Sequence, residues 1–348
     1  MTSRGTFVVV GLGSMGTRRV QHCLKKGYKI IGYDSRFDRN FDANRKLGIG
    51  VFESFIELDK YIKDHQIKGM FICTPPAEHF RYIQYCDTND ISFMIEQPVV
   101  HSISQVKLLR QMEVNRRFNN NISIHGSQNL RYCQSINFIK DLIDNDKISR
   151  ILSVIVECSE YLPDWHPWEP YTDYYPSSIE MGGGLDVICD IDWLMYLFGI
   201  PFFKRVHHTK SSSLNINTPD IADFLLEFTQ WNKQYTRNDS IIVNIHEDFL
   251  QHKPVHTAKF ITEKECVFLD FIENSVRIYN KDKDETINLN SDEYSEYGVL
   301  SKDWAWAEES YFKDTMVFLD KVERGDTSIE SFDDAILKAQ RVIESLNL

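Results

Sequence analysis

Residues 11–16, Gly-Leu-Gly-Ser-Met-Gly, come directly after the apolar run Phe7-Val8-Val9-Val10, and Asp34 closes a second run, Lys29-Ile30-Ile31-Gly32-Tyr33. Strand, glycine turn, helix and a second strand ending in an acid make a βαβ unit of the kind that binds dinucleotides. Gly11 permits the tight turn out of the strand, Gly13 lets the main chain approach a pyrophosphate, and Gly16 lets the helix pack closely on the sheet. The helix, with Val20, Cys23 and Leu24 on one face, ends in the basic turn Lys25-Lys26-Gly27. Its N-terminus, at Ser14 and Met15, therefore turns amides and partial positive charge toward the phosphates. The Asp34 carboxylate can accept hydrogen bonds from ribose hydroxyls and would repel a 2′-phosphate, which favours NAD over NADP. Ser35-Arg36 is the counter-signal, because an arginine there can cradle that phosphate.

The 348 residues suffice for two domains, each with its own core. With 39 basic against 51 acidic residues and a formal net charge of −12, nucleic acid and anionic membrane are not expected as partners. The seven cysteines form no CxxC pair, which suits a reduced, cytoplasmic chain. No apolar run approaches a membrane span and no export signal precedes the first strand, so neither anchoring nor secretion is expected.

Residues 1–125 alternate strand and helix, the pattern of an α/β doubly wound parallel sheet. Helices are expected at Ile56–His65, Ala77–Cys86 and Ser104–Arg116, with strands at 51–52, Met70–Cys73, Ile91–Ile95 and Ile122–His125. A helix over Cys133–Ile143 leads into residues 126–348, where alternating strands recur at 151–158, 224–228, 241–245, 260–261, 267–271 and 276–279. Strands without regular intervening helices predict an α+β domain with a mostly antiparallel open sheet, suited to substrate binding and oligomerisation. The exposed face of such a sheet predicts a homo-oligomer, a dimer or tetramer. Residues 280–297 read as a loop or hairpin. Helices over Asp303–Arg324 and Phe332–Leu346 close the chain, the last opened by the capping pattern Ser331-x-x-Asp334.

Two further motifs end strands of the parallel domain: Thr74-Pro75-Pro76-x-x-His79 and Glu96-Gln97-Pro98. Ligands bind at the carboxyl ends of parallel strands, so both are expected to face the cofactor. With the glycine turn and the antiparallel half, this order resembles the glucose–fructose oxidoreductase / inositol dehydrogenase / MocA (Gfo/Idh/MocA) family, whose third motif usually reads Glu-Lys-Pro. The segments 161–168 and 182–192, with Asp248-Phe249-Leu250-Gln251 and 270–274, resemble a branch found in bacterial surface-carbohydrate gene clusters. That resemblance implies an NAD-dependent oxidoreductase acting on a secondary alcohol or ketone of a nucleotide-activated sugar, nonulosonate pathways included.

Against that pattern, the family lysine is Gln97, and the family histidine falls on Cys189 when Asp186-x-x-Cys189-x-x-Asp192 is aligned. Gln97 can only hydrogen-bond. Removing an alcohol proton needs a base, and His166 is the preferred substitute, in a segment with Tyr161, Asp164, Trp165 and Trp168 suited to a sugar face; a histidine fixed by packing is the alternative. Asp190 and Asp192 follow, although a helix starting near Gly184 would turn one of them to solvent. Cys189 is a nucleophile if activated, or core filling on an apolar helix face. Arg131 and Tyr132 are candidates for a substrate phosphate or carboxylate, with a surface salt bridge as the alternative for Arg131, and Asp186 belongs to the same substrate set. His207-His208 cannot both face one site from a strand, and His246, His252 and His256 lack a companion cysteine or acid at ligand spacing, so no metal is expected. Trp304 and Trp306 read as helix-entry packing. Return of the hydride to the same carbon would make the net outcome epimerisation, and two rival outcomes stay open: an NAD-binding pseudoenzyme or regulatory partner, and elimination or hydrolysis through a closed redox cycle.

Overall fold

The computed structural model describes residues 4–114, 121–166, 168–184, 186–229, 239–289 and 305–346. Its first half is a six-stranded sheet of β1 (Thr6–Val10), β2 (Lys29–Tyr33), β3 (Gly50–Phe52), β4 (Gly69–Ile72), β5 (Phe93–Ile95) and β6 (Ile124–Gly126), ordered β3-β2-β1-β4-β5-β6. Every neighbouring pair is parallel. The intervening helices are α1 (Ser14–Lys25), α2 (Phe37–Leu47), α3 (Phe55–Asp64), α4 (Pro76–Thr88) and α5 (Ile103–Val114). This is the doubly wound architecture that the alternation predicts. Strands β4 and β5 are buried throughout, which is why they read as unbroken apolar runs. On α1, Val20 and Cys23 are buried as expected, but Leu24 is exposed and Arg19 takes the inner position.

Two compact units emerge, and their boundaries differ from a single cut near residue 125. The first comprises residues 1–127, 180–182 and 312–340; the second comprises 128–179, 183–311 and 341–348. The return of 312–340 has a packing reason. From α8 (Ala305–Arg324), Phe318 meets Phe7 and Phe71 at ring distances of 6.1 and 5.1 Å, and from α9 (Glu330–Leu346), Phe332 meets Phe93 at 5.6 Å. α9 begins at Glu330, ahead of the expected cap Ser331, whose hydroxyl lies 3.1 Å from His125 Nδ1. Residues 115–116 and 303–304, at the ends of two expected helices, lie outside the described residues, as do Trp304 and the side chain of Trp306.

The second unit carries α6 (Gln134–Asp144), α7 (Ile188–Phe198) and an eight-stranded sheet, β14-β13-β12-β11-β7-β10-β9-β8. Its strands are β7 (Ile151–Ser159), β8 (Phe202–Thr209), β9 (Ile221–Thr229), β10 (Ser240–Asp248), β11 (Val255–Thr262), β12 (Cys266–Asp270), β13 (Ser275–Tyr279) and β14 (Asp284–Asn288). Only the β7–β10 pair is parallel; the others are antiparallel. The polar stretch after residue 280 forms the β13–β14 hairpin, while 290–297 lie outside the described residues. Strand alternation sets the core face: Val154 and Val156 on β7, Ile241, Val243 and Ile245 on β10, and Ala258 and Phe260 on β11. Trp193 of α7 covers it, at 6.2 Å from the Phe260 ring and 5.8 Å from Phe271. Toward one end, the same alternation stops being apolar. Cys158 and Glu160, Glu247 and His256 continue these inward rows.

Among the described residues no helix is long and apolar enough to cross a membrane.

Candidate functional site

In the first unit the glycine turn has little room for any side chain. Gly11 has φ +84°, and a Cβ there would come within 2.5 Å of the Cys73 carbonyl; a Cβ on Gly16 would lie 1.8 Å from the Gly11 oxygen. The first turn of α1 begins at Ser14 and Met15 behind Gly13, which offers its amides no side-chain cap. Ser14 Oγ accepts from Arg18 at 2.7 Å. Asp34 is buried, with Oδ2 accepting from the Leu12 amide at 2.7 Å and Oδ1 from the Arg36 amide at 2.9 Å. Asn40, which the sequence reading missed, clamps the Asp34 main chain with two 2.8 Å hydrogen bonds. The Arg36 guanidinium is held by Asp38 at 3.1 and 2.6 Å, and Ser35 is exposed. The cation that does approach Asp34 is Arg39, at 3.7 Å. Backbone closeness at the turn, an uncapped helix start and an acid fixed from two sides fit a dinucleotide with a free ribose 2′-hydroxyl.

At the next strand ends, Pro75 and Pro76 open α4, and Thr74 Oγ1 is buried without a hydrogen-bond partner. His79, expected at the cofactor, is instead an internal strut. Its ring is fully buried, with Nε2 2.7 Å from the Thr74 carbonyl and Nδ1 2.9 Å from that of Pro98, and burial pushes its pKa down to about 4. Glu96 likewise serves the interior. Arg19, wholly buried, donates to Glu96 at 2.7 Å, Asp314 at 2.9 Å, Ser127 at 3.0 Å and Thr315 at 2.8 Å. His125 joins Asp314 at 2.8 Å, and the Arg19 guanidinium with these hydrogen bonds holds the Asp314 pKa down to about 2 against its burial. Gln97 donates through Nε2 to the Ser127 carbonyl at 2.7 Å, leaving Oε1 buried without a hydrogen-bond partner. Arg19 escaped notice in the sequence because its partners stand up to 296 residues away.

In the second unit the aromatic segment is packed. The His166 ring lies 5.1 Å from Trp168 and 4.8 Å from Tyr174, Trp165 packs on Phe249 at 5.5 Å, and Tyr161 stacks on His252 at 4.0 Å. Asp164 is exposed; Tyr132 is half-buried in a 3₁₀ turn. Arg131 is neither a surface pair nor an open anion site, because Asp192 neutralises it through two bonds of 3.1 and 2.9 Å. Since α7 begins at Ile188 rather than near Gly184, Asp190 and Asp192 are both buried and neither turns to solvent. Cys189 is the exposed residue of that turn, so it does not fill the core.

Asp190 accepts from Trp193 Nε1 at 2.7 Å and lies 2.9 Å from His256 Nε2. These partners hold its carboxyl below the ordinary value in spite of burial, which makes it a poor base. Asp186 differs. Its Oδ1 accepts from the Tyr175 hydroxyl at 2.9 Å, its Oδ2 meets no hydrogen-bond partner among the described residues, and burial raises its pKa to about 6. Burial and neighbouring carboxylates raise Glu160 to about 8 and lift Glu247 well above the usual range. A cavity of about 20 Å³, large enough for a water molecule, is lined in part by Asp186, Glu247 and Asp248. A wider groove of about 970 Å³, walled by Leu197, Phe198, Ile200 and Phe202, includes none of these carboxyls. Glu160, Tyr175 and Glu247 were missed; the available signal was an acid standing in the inward phase of an apolar strand.

Residues 6–117 match the Gfo/Idh/MocA oxidoreductase family, described as an NAD-binding Rossmann fold. The match covers the NAD-binding domain of that family, about a third of the chain. Its fold is shared with an oxidoreductase from Agrobacterium radiobacter solved with NAD+, L-tartaric acid and magnesium, at 15% identity and TM-score 0.77, covering 99% of this chain and 97% of that one. Myo-inositol 2-dehydrogenase from Lactobacillus plantarum gives 16% identity and TM-score 0.75 over 99% and 96%. UDP-N-acetylglucosamine 3-dehydrogenase from Acidithiobacillus ferrooxidans gives 16% and 0.69 over 99% and 96%. No curated protein sequence matches the chain. The first unit is thus an NAD-binding Rossmann domain, and the family is one of oxidoreductases.

Proposed function

We propose that the chain catalyses hydride transfer between NAD(H) and a secondary alcohol or ketone of a nucleotide-activated sugar in bacterial surface-polysaccharide biosynthesis. The observation that carries the catalytic reading is Asp186, a buried carboxyl with one oxygen unpartnered and a pKa of about 6. A base poised near the working pH is what alcohol oxidation needs, and neither Gln97 nor the tightly bonded Asp190 supplies it. Bound NAD+ would supply the hydride acceptor. In the oxidative direction Asp186 Oδ2 takes the hydroxyl proton, and Tyr175 steadies the other oxygen. Gln97 Oε1 accepts a hydrogen bond and orients a hydroxyl or the carboxamide. Asp34 accepts from the ribose hydroxyls.

The sugar class is supported by the resemblance of residues 161–168 and by the likeness to UDP-N-acetylglucosamine 3-dehydrogenase. Ile155, Ile242 and Phe202 lie exposed on the outer face of the second sheet, 47, 36 and 58% accessible, which supports a homo-oligomer. A cytoplasmic location agrees with the unpaired cysteines.

The test is NAD+ with a panel of nucleotide-activated sugars, following NADH and product mass together, with Asp186→Asn beside the wild type. Formation of NADH with loss of two hydrogens, abolished in the variant, is expected. NAD+ binding without turnover in either direction would leave the pseudoenzyme, the reading favoured by Gln97 and the exposed Cys189. Conversion without net NADH would indicate a closed redox cycle.

A further inference from the structure

His256 has no metal-binding companion near it in sequence, but the fold brings it two. Cys158 of β7, Asp190 of α7 and His256 of β11 place a sulfur, a carboxylate oxygen and an imidazole nitrogen within 4.8 Å of one another. The strand register sets Cys158 directly opposite His256. Both point to the core face, where cross-strand side chains are neighbours. The set is oriented from behind. Trp193 Nε1 fixes the Asp190 carboxylate at 2.7 Å, and the Phe271 ring stacks on His256 at 4.0 Å and 19°. Such outer contacts are what hold metal-ligand side chains in place.

A second observation is independent of that triad. Glu160 lies two residues past Cys158, in the same inward phase, anchored by its amide to the Asp248 carbonyl at 3.0 Å. It is only 7% exposed, no hydrogen bond to its carboxyl is seen among the described residues, and burial beside Asp190 raises its pKa to about 8. Ionising a carboxyl in so largely buried a position is costly unless something positive meets it.

We propose that Cys158, Asp190, His256 and Glu160 form a four-ligand site for zinc(II). The sulfur argues against magnesium and calcium, which prefer all-oxygen shells, while mixed S/N/O donors four in number match tetrahedral zinc. Ligand bonds of about 2.0–2.3 Å put tetrahedral donors roughly 3.3–3.8 Å apart, so the Cys158, Asp190 and His256 donors need to contract by only about 1 Å, and Glu160, which lies outside that cluster, turns in to complete the shell. On binding, Cys158 and Glu160 release their protons to solvent and the sulfur and carboxylate oxygen bond the ion, with no change of oxidation state. With all four positions taken by protein the site is structural, joining α7 to β7 and β11 just after Asp186.

The test uses the full chain, stripped with a chelator and titrated with zinc or cobalt(II), neither of which requires turnover. The wild type is expected to keep about one equivalent of zinc through gel filtration. Its cobalt form should show a near-ultraviolet sulfur-to-metal charge-transfer band that Cys158→Ser loses and Cys266→Ser keeps. Glu160→Gln and His256→Ala should weaken zinc binding by about 10–100-fold. Circular dichroism and NAD+ binding report folding, and the near-isosteric Glu160→Gln decides the matter if Cys158→Ser does not fold. Failure of the wild type to retain zinc, a cobalt form without the sulfur band, or unchanged affinity in Glu160→Gln would overturn the proposal. Because metal content is read without substrate, failure of the sugar-oxidation reading leaves this result intact.

Discussion

Both halves of the molecule bury several charged groups, and they handle them in opposite ways. In the first unit Arg19 donates to Glu96, Asp314, Ser127 and Thr315, and His125 adds a further bond to Asp314. Opposite charges meet, and the Asp314 pKa falls. In the second unit Glu160, Asp186 and Glu247 gather at the polar end of a sheet face, and their pKa values rise. The first arrangement is bonded for holding a fold together. The second keeps carboxyls short of partners, as a proton-handling or cation-binding site requires.

Breaking the first arrangement should have the largest effect on stability. Arg19→Ala leaves Glu96 and Asp314 buried without their cation and is expected to cost about 3–5 kcal/mol, read from denaturant unfolding. Asp186→Asn should act on the other side of the comparison, lowering kcat/KM by about 10²–10⁴. It should also remove a rise in rate as pH climbs through about 6.

The same substitution should stabilise the fold. A carboxyl raised to about 6 from the ordinary ~3.9 favours folding fully only below the unfolded value, and that contribution is lost as pH rises to about 6. Above it, the charged form is a standing cost, so Asp186→Asn should gain on the order of 1–3 kcal/mol at neutral pH. The sign is reversed for Asp314. Its depressed pKa contributes stability above ~3.9 that is lost as pH falls through about 2, so wild-type acid unfolding in that window should flatten when Arg19 is replaced.

Gly16→Ala, which drives a methyl into the Gly11 carbonyl, should cost about 1–3 kcal/mol and weaken NAD+ binding, measured by calorimetry. The smallest change is expected from Arg36→Ala. Its guanidinium is already held by Asp38 at the surface, so the preference for NAD+ over NADP+ should move by less than about 0.5 kcal/mol.

The parallel sheet, the glycine turn and Asp34 were legible in the sequence because each is local: a run of apolar residues, a spacing of glycines, an acid at a strand end. The antiparallel half was legible for the same reason, since alternation along one strand already names its inner face. The proton-handling residues were harder. His166 attracted attention as an imidazole among tryptophans, yet its neighbours are rings on both sides; Asp186, read only as a substrate contact, is the carboxyl whose pKa moves. That shift comes from burial, which outweighs the hydrogen bond from Tyr175, eleven residues away and on no shared periodic face.

By itself, the sequence determined a dinucleotide turn followed by an acid at the second strand's end, an α/β half followed by a sheet-rich half, and Gln97 and Cys189 where the resembled family usually has lysine and histidine. Only the tertiary structure decided that Glu96 and His79 are struts, that Arg131 is neutralised by Asp192, and that Cys158, His256 and Asp190 meet. The reason is the range of the forces involved. Backbone conformation and strand phase are set by neighbours along the chain, whereas desolvation and ion pairing depend on which distant side chains the packed core brings together.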